Sequence, residues 1–170
     1  MSLVIYDGKG KLFYYLNHIR SNGGVPQQTV YHYPSEQVTL AWLGNASVCH
    51  IVRKFLNKLF TDLQFQQKEF PIIELQTYLK KKMDKIFMKP DDKNFKILIY
   101  VGYGEKAVYT VDDIGLEQYN VTDRVIVGNR SDYAHGVMEF CQDGRIVMKK
   151  FSEFYAICDS EYAVINLWGE

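Results

Sequence analysis

Hydrophobic positions change their period along the chain, and the changes divide it into strands, two helices, strands, two helices and a last strand. Residues 3–6 and 11–16 are apolar and aromatic runs separated by Asp7-Gly8-Lys9-Gly10, a composition that turns a chain sharply and predicts an opening β-hairpin. A polar stretch with Gly23, Gly24 and Pro26 follows, and then strand candidates at 29–33 and 38–43, broken at Pro34-Ser35. From Asn45 the spacing becomes helical, with Val48, Ile51, Val52, Phe55, Leu56, Leu59, Phe60 and Leu63 at intervals of three and four, and Asn45 or Ser47 placed to cap the start. Pro71 marks the entry to a second helix carried by Ile72, Leu75, Leu79, Met83 and Ile86, which Pro90 and Asp91-Asp92 stop.

Strand character returns at 95–101 and 107–111 around Gly102-Tyr103-Gly104, and again at 124–127. Residues 131–142 and 146–158 read as two more helices, and 163–168 as a closing strand. No internal repeat, linker or low-complexity tract interrupts this order, so a single domain over 1–170 is expected. Each helix pair has one apolar face and each sheet needs cover. An α+β fold with two β layers between outer helices, a four-layer αββα sandwich, meets both needs.

Composition narrows the possibilities further. A chain of 170 residues with 47% hydrophobic and 15% aromatic residues is ordered and large enough for a substantial core. Twenty basic and twenty acidic residues cancel, which removes the broad positive field that nucleic acid or an anionic membrane would require. No nucleic-acid or membrane partner is expected. Cys49, Cys141 and Cys158 are odd in number and lack CxxC spacing, which predicts core thiols in a reducing compartment rather than disulfides or a zinc site. The four histidines, His18, His32, His50 and His135, lack metal-site spacing, and no metal or other cofactor is expected. His50 and His135 fall on polar or boundary faces of their helices and read as surface residues. The start of the chain is too polar after Ile5 and Tyr6 for a signal peptide, and no apolar run approaches about 18 residues. Together these place the protein in the cytoplasm and give its three Asn-x-Ser/Thr triplets no glycosylation role. Gly102-Tyr103-Gly104 lacks the rest of a phosphate loop and reads as a hairpin turn, and Lys80-Lys81-Lys82 reads as the solvated face of a helix.

Several stretches together resemble the proteasome β-subunit and HslV peptidase family, most closely its compact phage-encoded members. Ser2-Leu3-Val4-Ile5-Tyr6-Asp7-Gly8 is similar to the family's first strand, which opens with a catalytic Thr. Leu40-Ala41-Trp42-Leu43-Gly44-Asn45-Ala46-Ser47 is similar to its strand-into-helix step. Val108-Tyr109-Thr110-Val111-Asp112 and Ile126-Val127-Gly128-Asn129-Arg130-Ser131-Asp132-Tyr133-Ala134-His135-Gly136 are similar to a later strand and to the Gly-Ser-Gly-Ser turn into the third helix. The resemblance implies an N-terminal-nucleophile (Ntn) fold, in which residue 1 of the mature chain supplies a nucleophilic side chain and, through its free α-amine, the base.

Carried over position by position, the implied site is Ser2 after removal of Met1, with His18 where the family has Asp and His32 at or near its Lys. Asn129 stands for the first Ser of the turn, Arg130 for its second Gly, Ser131 keeps its type, and Asp159 matches the late Asp. The Thr, the Asp, the Lys and one Ser are therefore changed. Loss of the Lys matters most, because a permanent ammonium lowers the nucleophile's pKa and stabilises developing charge. The first expectation is a catalytically degenerate protein acting through self-assembly or partner binding. The second is an active N-terminal serine peptidase or amidase in which His18 and His32 form a substitute dyad. The third is an unrelated binding domain of the same layering.

Self-association is expected as well, as a homo-oligomer and in family terms a ring. The apolar positions of the helix over 45–65, Cys49 included, cover an arc of about 180°, wider than the roughly 100° that one core contact needs. Ordinary packing against the helix at 72–87 is the plainer explanation of the excess.

Overall fold

The computed structural model describes residues 3–15, 19–20, 26–27, 30–62, 69–85, 95–128, 130–154 and 162–168. It divides into two compact units, one formed by Met1–Tyr31 with Tyr119–Glu170 and the other by His32–Gln118.

The first unit is built on β1 (Leu3–Tyr6), β2 (Lys11–Tyr15), β10 (Val125–Gly128) and β11 (Tyr162–Asn166), in the antiparallel order β10-β1-β2-β11. The β1–β2 turn is set by Asp7, whose Oδ1 accepts the backbone N–H groups of Lys9 and Lys11 at 2.7 and 3.0 Å. All four residues of β1 are buried, so both faces of this strand are covered and its sequence shows no alternation. Period two still decides what each face meets. Leu3, Ile5, Phe13, Tyr15 and Ile126 pack against Ala134 and Met138 of α3 (Ser131–Cys141) and Val147, Met148 and Phe151 of α4 (Gly144–Phe154). Tyr15 also donates its hydroxyl to the carbonyl of Met148, which pins β2 to α4. A Cβ on Gly144 would stand 2.6 Å from the Phe13 ring, so α4 reaches the sheet this closely only because its first residue has no side chain. The two-residue strands β3 (Ile19–Arg20) and β4 (Pro26–Gln27) pair with each other.

The second unit carries the five-stranded order β5-β6-β7-β8-β9, from β5 (Val30–Tyr33), β6 (Val38–Gly44), β7 (Phe95–Val101), β8 (Ala107–Asp112) and β9 (Leu116–Tyr119). Its long strands β6, β7 and β8 are antiparallel neighbours and almost wholly buried. Helix α1 (Ala46–Thr61) begins at Asn45, whose side chain accepts the N–H of Ser47 at 2.8 Å, so of the two expected caps Asn45 is the one used. Helix α2 (Ile72–Lys85) follows Pro71, whose carbonyl accepts the N–H of Leu75 at 3.0 Å.

The mixed α+β class and the order of the long elements agree with the hydrophobic pattern, and several details differ, among them α1, which ends at Thr61 rather than at 65, α4, which begins at Gly144 rather than at 146, and β11, which ends at Asn166 rather than at 168. The pattern gave neither β3–β4 nor β9: the first two are only two residues long, and Leu-Glu-Gln-Tyr of β9 is a partly exposed outer strand with a polar middle. Helix α3 ends one residue earlier than expected, because Gln142 turns left-handed (φ 53°) and returns its N–H to Met138. The wide apolar arc of α1 is mostly covered within its own unit: Val48, Cys49, Ile51, Val52 and Leu56 are buried, Phe55 lies 5.3 Å from the Tyr78 ring of α2, and Phe60 lies 5.2 Å from the Tyr33 ring of β5. The apolar surplus assigned to α1 therefore has ordinary partners. Among the described residues the large apolar side chains left most exposed are Phe140 at 93% and Ile114 at 92%. Among the described residues no helix is long and apolar enough to cross a membrane.

Packing of β2 on α4 is open to a direct test. Phe151 is fully buried, so Phe151→Ala should lower stability by about 3–5 kcal/mol, and Tyr15→Phe, which deletes one buried hydrogen bond, by about 1 kcal/mol. Urea denaturation of the two variants beside the wild type measures both.

Candidate functional site

Strand register defines one end of the four-stranded sheet. Leu3 pairs with Gly128, Val4 with Tyr14, and Tyr15 with Tyr162. Gly128, Leu3, Tyr15 and Tyr162 therefore form one row across the four-stranded sheet, at the end where β1 and β11 begin and where β2 and β10 finish. Five of the sequence-derived site positions are Ser2, His18, Asn129, Ser131 and Asp159. Of these, Ser131 is described, as the half-buried first residue of α3. Ser2, His18, Asn129 and Asp159 lie outside the described residues.

His32 belongs to the other unit. It stands on β5 with its side chain exposed, and its Nδ1 lies 2.6 Å from the hydroxyl of Thr39 on the neighbouring strand β6, while Thr39 itself is only 1% exposed. This imidazole is tied to a buried hydroxyl and offers no permanent charge, unlike the Lys that the resemblance implies at or near the position.

The turn after β10 keeps an unusual backbone. Gly128 has φ 125°, and Arg130 has φ 57° and ψ 37°, a left-handed conformation, while its carbonyl starts α3 by accepting the N–H of Ala134 at 3.2 Å. An L-residue there costs roughly 1–2 kcal/mol, which is why a Gly suits the position and why its replacement by Arg leaves the turn's shape but not its ease. Asp132 in the first turn of α3 complements the positive end of the helix. No side-chain pattern in the sequence reveals that Arg130 is left-handed. The signal available was the alignment of Arg130 with the family's Gly.

Around α3 the charges are local. Arg124 and Glu139 form an ion pair at 3.0 Å, and the neighbouring His135 has its pKa lowered, first by burial and then by the Arg124 guanidinium, with Glu139 acting in the opposite direction. The thiols are quiet. Cys49 is buried, which pushes its pKa up to about 12, and the half-buried Cys141 donates to the carbonyl of Val137 at 3.2 Å. Cys158 is not among the described residues.

No family model matches the chain, and no curated protein matches its sequence. Solved structures do match. Anbu (ancestral beta-subunit) from Yersinia bercovieri superposes with a TM-score of 0.71 at 12% identity, over 97% of this chain and 80% of that one. The Anbu complex from Pseudomonas aeruginosa, described as a helical assembly, gives 0.70 at 11% identity over 97% and 80%. Eukaryotic HslV from Trypanosoma brucei gives 0.57 at 9% identity, over 96% of this chain and 97% of that one. The fold is that of Anbu and HslV. Identities this low speak for the fold alone, and the proteasome-like architecture matches the resemblance read from the sequence.

Two outcomes are expected from this region. Arg130→Gly should be more stable than Arg130→Ala by roughly 1–2 kcal/mol, the reverse of the order inside a helix, as read by chemical denaturation. For His135 the folded protein binds a proton less readily than the unfolded chain, so the stability it contributes is present above the ordinary value of 6.5 and is lost as pH falls through the lowered folded value. The wild type should therefore lose more stability than His135→Gln as pH falls through this range, measured as paired melting curves across it.

Proposed function

We propose that this chain is a proteasome-like Ntn-fold protein, one domain of αββα layering, that acts through self-assembly or partner binding rather than through peptide hydrolysis. The observation that carries the reading is His32: where the resemblance implies a lysine ammonium, an exposed imidazole is bound to the hydroxyl of Thr39. Without that permanent charge, the α-amine and hydroxyl of a residue-2 nucleophile lack the electrostatic help that makes a weak nucleophile reactive near neutral pH. Ser2 in place of Thr, His18 in place of Asp, and Asn129 and Arg130 in place of Ser and Gly point the same way. Kinship with the compact phage-encoded members rests on the sequence stretches, and a cytoplasmic home rests on the cysteine pattern.

The retained Ser131 and the Gly-like left-handed backbone at Arg130 favour a second reading, an active serine peptidase using Ser2 after loss of Met1. The two readings part in a simple assay. The expected result is no hydrolysis of peptide or casein substrates above background. Turnover abolished by Ser2→Ala, in a sample shown by intact mass to lack Met1, would overturn the proposal and promote His18 and His32 to catalytic roles.

Self-assembly is the positive half of the proposal. The neighbour from Pseudomonas aeruginosa is described as a helical assembly, and repetition of one interface between unlike surfaces produces either rings or helices. Light scattering at micromolar concentration should give a multiple of 19.8 kDa. A clean monomer mass would remove this half of the reading.

A further inference from the structure

The second unit contains a cavity of about 220 Å³ between α2 and the β8–β9 turn, smaller than the roughly 300–1,000 Å³ of sites for small organic ligands and sized for a side chain. Its floor is apolar and buried: Leu79 of α2, Phe95 at the start of β7 and Val111 of β8. Its lip is Ile114, 92% exposed. The lip is held in place, because Asp112 accepts the N–H groups of both Ile114 and Gly115 at 2.9 Å through the same carboxylate oxygen. An isoleucine fixed at the edge of an apolar-floored hollow presents contact area without further ordering cost. The rim is mainly acidic. Asp84 and Asp113 are exposed there, Asp112 is shared with Lys96 at 3.9 Å, and Lys80 is the opposing charge among the lining residues.

The other unit carries the complementary shape. Phe140, the penultimate residue of α3, is 93% exposed, and Ile146, just inside α4, is 43% exposed. The turn between them is rigid: Gln142 returns its N–H to Met138, Asp143 caps the N–H of Arg145 through its side chain at 3.0 Å, and its carbonyl accepts the N–H of Ile146. Arg145 and Lys149 of α4 are exposed on the same corner, while the nearby Glu139 is already paired with Arg124.

We infer that the α3–α4 corner of one copy of this chain, led by Phe140, docks into the α2/β8–β9 cavity of a second copy, with Arg145 facing the Asp84 and Asp113 rim. The inference rests on the self-assembly reading and deepens it by naming the two surfaces. Among the described residues the two most exposed large apolar side chains are a projecting ring and the lip of a side-chain-sized hollow, and Arg145 and Lys149 beside the first are opposite in sign to Asp84 and Asp113 beside the second. A contact between unlike surfaces does not close on itself in a pair, so a pair keeps one free corner and one free cavity and the assembly continues.

Phe140→Asp and Ile114→Asp test this cleanly, since both positions are almost fully exposed and neither substitution touches the core. Each variant should keep the wild-type melting temperature of its monomer fold and should fall from the wild-type assembly to 19.8 kDa in light scattering. Mixed in equal amounts, the two should form a complex of twice that mass and no larger, because the mixture contains one intact corner and one intact cavity per pair. Wild-type assembly that survives Phe140→Asp would overturn the inference while leaving self-assembly standing. A mixture that stays monomeric would also overturn it. A monomeric wild type would overturn both.

Discussion

Insertion of β1 between β10 and β2 is the constraint on which the rest of the first unit depends. Leu3 to Tyr6 are all at most 1% exposed, and the pairings of Leu3 with Gly128 and Val4 with Tyr14 fix the register on both sides of the strand. A slip by one residue would exchange Leu3 and Ile5 with Val4 and Tyr6, taking the first pair off the α3–α4 face and the Tyr6 hydroxyl away from the carbonyl of Val121. The register is therefore held by packing as well as by backbone hydrogen bonds. Because it is held, the chain before Leu3 enters the sheet beside the turn that follows Gly128.

That geometry separates two properties that are often treated as one. A scaffold depends on strand pairing and core volume, and the four-stranded sheet with its α3–α4 cover keeps both. Chemistry depends on charge, and there the chain departs from its family resemblance: imidazoles replace a carboxylate and an ammonium, and His32 is occupied by Thr39. Arg130 shows the same divergence on a smaller scale, since the backbone still takes the left-handed shape suited to Gly while the side chain has changed. Burial and pairing preserve a fold even where residue types at the positions implied by resemblance differ.

Much of the architecture could be read from periodicity. The helical spacing from Val48 to Phe60 and the unbroken apolar runs of β6 and β7 are long signals with little competition from other structures. Short or outer elements carry no such signal, and so β3, β4 and the polar β9 went unread. The candidate site was legible as a set of residue types through resemblance, but the left-handed backbone of Arg130 and the Thr39 partner of His32 were not, because no local pattern encodes them. Periodicity also misplaced the apolar surplus. It found an apolar arc on α1 wider than one contact needs, which Tyr78 of α2 and Tyr33 of β5 help cover, and it had no means of showing that Phe140 and Ile114 would be left in solvent.

The central claim is that the scaffold of an N-terminal-nucleophile site persists here without its chemistry. The most direct measurement restores the charges, as Ser2→Thr, His18→Asp and His32→Lys together, and compares this variant with the wild type for covalent capture of a hydroxyl-directed electrophile, read by intact mass and peptide mapping. Both samples must first be shown to lack Met1. Capture at residue 2 in the restored variant, with none in the wild type, is the predicted result. Capture at Ser2 of the wild type, or none in the restored variant, would contradict it.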